Sequence, residues 1–260
     1  VLLPFSIDRH ASPPQFGHST AGPPAGVPVV LGRRHAYAVS SPQAGVDPDA
    51  GLARADALDI VERLLDTVES DPMPVPVREV WVYGDVALGL DPIPRLSVYV
   101  TKDLLFGETD TAVDDHGVEG VGSVVSATWA EAFPEHLRAN DAGYAAPERC
   151  LAAHLLPSDA PVHLEVCNAS FDDNVTRRLQ GALARDTHDE ILDPRGVQLW
   201  ADDRRADETL ARLREGALAF PTLPEALGML GVDEERARTA ASSMRERDAS
   251  RGRSVRGDVV

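Results

Sequence analysis

Lysine is nearly absent from this chain. Of 25 basic residues only Lys102 is a lysine, and the other 24 are arginines. No apolar run approaches the ~18 residues that a membrane-spanning helix needs. The two cysteines, Cys150 and Cys167, exclude a disulfide framework and suit a reducing compartment. Neither the GxSxG elbow of α/β-hydrolases nor the GxxxxGK loop of P-loop nucleotide hydrolases occurs, which excludes the two commonest nucleophile and phosphate-loop signatures. No apolar core follows a basic start, so no targeting signal is expected.

Acid is abundant instead. The chain carries 42 acidic residues, 26 of them Asp, and a net charge of -17. An Asp-rich, lysine-poor surface is what a cytoplasmic protein needs in molar salt, where charge is screened over only ~3 Å. The charge therefore points to the habitat of an extreme halophile. It argues against non-specific DNA binding, because phosphate contacts weaken steeply with salt. Apolar residues make up 43% of the chain, enough for a packed core.

The charge is unevenly spread. Residues 1–46 hold Arg9, Arg33 and Arg34 against Asp8, are rich in Pro, Gly, Ser and His, and show no helical or strand period. They are expected to be a disordered or mis-called N-terminal extension, with Val46 a plausible start if read from a GTG codon. From residue 52 the pattern is regular. Leu58, Val61, Leu64, Leu65 and Val68 predict a helix that ends before Asp71-Pro72. The stretches VREVWVY, RLSVYVT, PVHLEVC and GVQLWA predict four strands. Helices are expected in SVVSATWAEAF, in PERCLAAHLL, after Ser170, and in DETLARLREG. Thr222 and Glu225 predict a capping box, and Asp233 opens a last Ala-rich helix to about Arg247. The expected fold is α/β, or α+β, with a small mixed sheet covered by helices over 47–220. A helical appendage over 221–248 and a basic tail over 249–260 follow.

The segment VWVYGDVALGL resembles the opening of the minimal nucleotidyltransferase superfamily. In that family an apolar strand runs into Gly-Ser and a short helix, and the next strand carries Asp-x-Asp. Gly84 and Gly89 match the family's glycines, while Asp85 stands where Ser is usual. The resemblance covers residues 78–167 and puts Glu165 at the third metal carboxylate. It departs where the metal pair belongs, since Ser97 and Tyr99 lie there. Neutral hydroxyls cannot replace two anions on a divalent cation. The resemblance thus implies a nucleotidyltransferase-like fold without Mg²⁺-dependent transfer, and the chain is expected not to be a transferase. The plain alternative is that Gly84 and Gly89 only shape a tight turn and Asp85 only caps a helix. The chain from about residue 52 also resembles an uncharacterised protein family of haloarchaea.

Other residues bear on chemistry. Cys150 and His154 are four apart on one helix, and His163, Glu165 and Cys167 alternate on one strand. Two thiolates and two imidazoles are the ligand set of a tetrahedral zinc site, although the spacing matches no common zinc motif. The alternative is a buried Cys and His pair under a helix. Lys102 could meet a phosphate or pair with Asp103. The tail from Arg245 to Arg256 could touch RNA or dock on the acidic body of the same chain.

Three readings follow. The leading one is a non-catalytic nucleotidyltransferase-like domain that binds a nucleotide, RNA or protein partner. It requires strands two and three to be neighbours, with Asp85, Ser97 and Tyr99 lining a cleft with Lys102 and Glu165. The second is a zinc protein or hydrolase using Cys150, His154, His163 and Cys167. The third is an interaction protein whose helices over 223–247 expose an apolar face to a partner.

Overall fold

The computed structural model describes residues 51–105, 117–249 and 254–257, and among these described residues it forms seven α-helices, three short 3₁₀ helices and six strands. The expected N-terminal extension lies outside the described residues. Helix α1, Arg54–Ser70, buries the predicted stripe together with Ala57 and Ile60. It stops at Asp71, whose extended backbone is what a following proline favours.

Strand β1, Val77–Tyr83, turns at Gly84, where φ is +70°, into a single 3₁₀ turn. That left-handed value favours glycine. Strand β2, Leu96–Lys102, is buried along its whole length. Helix α2 spans Ala127–Ala132. It is shorter than its sequence stretch because Ser126 caps it by accepting from the Trp129 amide. Helix α3, Pro147–Leu155, opens on proline as expected. Strand β3 is Val162–Cys167, and helix α4, Phe171–Arg185, is capped by Ser170.

Strand β4, Gly196–Ala201, folds back through Asp202 and Asp203 onto β5, Arg204–Arg205. Both aspartates have positive φ, as a tight hairpin requires. Helices α5 (Asp207–Arg214), α6 (Leu223–Met229, with the predicted capping box) and α7 (Glu234–Ala249) follow. Residues 254–257 of the basic tail form strand β6.

The sheet order is β5-β4-β1-β2-β3-β6. Strand β1 is antiparallel to β2 and β4, whereas β3 is parallel to both β2 and β6. This mixed sheet with helices on both faces is of the α/β class. Pleat alternation sends Val80, Val82, Val98, Leu164 and Val166 to one face, where they share a core with α1 and with Leu151 of α3. The other face presents Tyr83, Tyr99 and Cys167 to Phe171 and Val175 of α4. Phe171 stacks on Trp81 with ring centroids 4.8 Å apart and meets Tyr99 edge-on at 5.3 Å. Each such aromatic pair is worth about 0.5–1.5 kcal/mol beyond its burial.

A further buried cluster joins Leu179 and Ala182 of α4 to Leu223, Leu227, Ala240 and Met244 of α6 and α7. The apolar stripe of the last helices is thus covered by α4. Among the described residues of this region, only Met229 and Leu230 are large apolar side chains left exposed. No helix among the described residues is long and apolar enough to cross a membrane.

Candidate functional site

Strands β2 and β3 are neighbours, with Ser97 in register with His163 and Tyr99 with Glu165. Ser97 also faces Tyr83 across the antiparallel pair with β1. Alternation puts Tyr83, Ser97, Tyr99, His163 and Glu165 on the α4 face, next to the Gly84 turn. Asp85 sits in that turn, and Gly89, at φ +77°, closes it.

The hydroxyl of Tyr99 is committed to its surroundings. It donates to the Ala169 carbonyl at 2.8 Å and accepts from Asn174 Nδ2 at 3.0 Å. Burial pushes its pKa up. Lys102 corrects the expected cleft. It belongs to the opposite face with Val98 and Val100, and its Nζ donates to Asn168 Oδ1 at 2.6 Å. It lines a separate cleft with Leu104, Ser123 and Tyr144.

Glu165 is the centre of the α4-face site and is only 3% exposed. Arg178 of α4 donates from Nη1 to Oε1 at 3.0 Å and from Nη2 to Oε2. His163 Nε2 lies 2.9 Å from Oε1, and its Nδ1 lies 2.6 Å from Ser254 Oγ on β6. Burial alone would raise the Glu165 pKa. Hydrogen bonds from His163 and Arg178 more than reverse this and hold it down to about 2. An ionised carboxylate only accepts, so Nε2 donates to it. In the neutral ring Nδ1 then accepts from Ser254.

The order Ser254, His163, Glu165 is that of a nucleophile, a base and an acid. Arg178 already neutralises Glu165, however, so the carboxylate would lend little support to an imidazolium. The chain of bonds instead fixes β6 to β3.

Beside this chain lies a small cavity of about 80 Å³, lined by Tyr83, Arg95, Glu165, Arg178, Arg247 and Arg256 among others. Tyr83 is 4% exposed, and its hydroxyl has no hydrogen-bond partner among the described residues. Burial, and then the charge of Glu165, raise its pKa well above the usual value. Arg247 of α7 donates to the Ile191 carbonyl at 2.9 Å. Glu190 contributes a second carboxylate to the lining. Its pKa is lowered first by its bond to Arg185.

The four zinc candidates do not gather, which corrects the metal reading. Cys150 is buried with Val121, Val125 and Trp129, and its Sγ accepts from the Arg138 amide at 3.3 Å. Burial raises its pKa. His154, on the same helix, packs on Phe133 with centroids 4.5 Å apart, and burial lowers its pKa. Helix α3 packs on the α1 face, whereas His163 and Cys167 point to the α4 face. Among the described residues no group of three His, Cys, Asp or Glu side chains is arranged to hold a metal ion.

Sequence reasoning found Glu165 and missed the arginines around it. A signal was present for Arg178. Phe171, Val175, Arg178 and Ala182 fall at i, i+4, i+7 and i+11, so Arg178 interrupts a buried stripe. Ala240, Met244 and Arg247 repeat the same spacing on α7.

No curated protein and no solved structure gives a match to the chain. Over residues 53–260 it matches DUF7095, a family of unknown function, and it belongs to that family.

Proposed function

We propose that this chain is a non-catalytic nucleotidyltransferase-like domain that binds a nucleotide without a divalent cation, in the cytoplasm of a halophile. The state of Glu165 carries the reading. The resemblance puts a metal-holding carboxylate there, and in this chain Arg178 and His163 hold it instead. The Arg178 guanidinium thus takes the role of the cation. Ser97 and Tyr99, at the positions of the paired carboxylates, lie in register with His163 and Glu165 and add no anionic charge. The Gly84 turn beside them supports the same placement of the site. The Asp-rich, lysine-poor composition supports the halophilic cytoplasm.

Thermal unfolding of the full chain in molar KCl tests this, with nucleoside triphosphates added in Mg²⁺ or in EDTA. A ligand at 100 times its Kd adds about 2.7 kcal/mol of stability. The expected result is a nucleotide-dependent rise in Tm that survives EDTA. A rise that requires Mg²⁺ would return the chain to the metal-dependent transferases.

A further inference from the structure

We propose that the arginine-lined cavity at the end of β1 is a built site for one tetrahedral oxyanion, a phosphate group, completed by the C-terminal segment. Its size sets the ligand class. A volume of about 80 Å³ admits a small ion with little accompanying water and excludes a nucleoside. A nucleotide would therefore reach it only with a terminal phosphate.

Its chemistry sets the charge. Arg95 before β2, Arg178 of α4, Arg247 of α7 and Arg256 of β6 converge where, among the described lining residues, only Glu165 and Glu190 offer carboxylates. Glu165 is already held by Arg178 and His163, and Glu190 bonds to Arg185 outside the lining. In a chain of net charge -17, such a gathering of guanidinium groups runs against the overall composition. A phosphate group offsets it, and planar guanidinium forks match phosphate oxygens two at a time. The site does not need any arginine to be without partners. Each guanidinium carries five donors, and the Arg247 bond to the Ile191 carbonyl uses one of them.

The independent observation is Tyr83. Its buried hydroxyl lines the cavity and has no acceptor among the described residues. An oxyanion supplies that acceptor. Arg247 and Arg256 both lie in the last segment of the chain, and Arg256 sits beside Glu165 through the parallel pairing of β6 with β3. The site is thus complete only when that segment is docked.

This inference stands on the cavity and not on the nucleotidyltransferase-like reading. The test is calorimetric titration of the full chain with inorganic phosphate, in EDTA and a fixed KCl background. The expected result is one phosphate bound per chain without divalent cation, and about tenfold weaker binding for Tyr83→Phe. That variant keeps the ring and removes only the hydroxyl. Arg247→Gln serves as the second variant, with a loss of similar size expected and folding checked by circular dichroism. No phosphate binding by folded wild-type protein at tens of millimolar overturns the proposal, as does unchanged affinity in both variants. Competition then separates the sources. Displacement of phosphate by a nucleoside triphosphate makes the ligand a phosphoryl terminus. Phosphate binding that no nucleotide displaces assigns the site to the free ion, and the nucleotide reading then fails while the oxyanion site stands.

Discussion

Glu165 shows how far single residues could be read. Its strand, its face and its candidate status are legible from the alternation in VHLEVC. His163 is legible on the same face, whereas Arg178 is harder to find, because it lies thirteen residues away on a helix and arginine normally reads as surface. Two predictions belong here. The folded-state pKa of Glu165 is held at about 2, below its ordinary value of 4.5. A depressed carboxylate contributes stability that is full above the ordinary value and is lost as pH falls from there through the folded value. The contribution is on the order of 3 kcal/mol. Urea unfolding at pH 7 and at pH 3 should therefore show a smaller acid loss in Glu165→Gln than in the parent chain. Equal losses would mean that the clamp on Glu165 carries no linkage. Removing the partner is the second case. Arg178→Met leaves a buried carboxylate with His163 alone, and the cost should be roughly 3 kcal/mol by the same unfolding measurement.

Elements were legible where they are long and periodic. Helix α1, strands β1 to β4 and the α6 capping box follow their patterns, because one buried face imposes the period. Strands β5 and β6 were not, since two and four residues are too few to display alternation. Their pairing depends on partners distant in sequence. The α4 face makes a sharper test of packing. A Cβ at Gly196 would stand 2.7 Å from the Phe171 ring, and Phe171 is fully buried between Trp81 and Tyr99. Gly196→Ala should cost about 1–3 kcal/mol, read as a lower urea midpoint with an unchanged slope. A neutral outcome would show that the ring can move aside, and that α4 is less firmly seated than its contacts imply. Strand β6 is similarly tight, since a Cβ at Gly257 would meet Glu148 Cγ of α3 at 2.8 Å.

Across the whole molecule, the α/β class and the mixed sheet follow from the order of helices and strands in the sequence. The grouping of helices by face does not. That grouping separates Cys150 and His154 from His163 and Cys167, and it carries Lys102 away from Glu165. The candidate site was legible only in its β1–β2–β3 frame. The guanidinium groups that give it its character come from residues 95, 178, 247 and 256, which only the fold brings together. Net charge acts at the same scale. Charge repulsion at -17 is felt over ~30 Å in 0.01 M salt and over ~3 Å in 1 M salt. The Tm should therefore rise steadily with KCl across that range, and a flat profile would remove the argument from habitat.

Cationic side chains, and not a metal, are proposed to prepare this site for a nucleotide. Titration of the full chain with a nucleoside triphosphate in molar KCl, once in EDTA and once in Mg²⁺, tests it most directly. The expected result is a saturable heat of binding with the same affinity in both buffers. Binding that appears only with Mg²⁺ would contradict it.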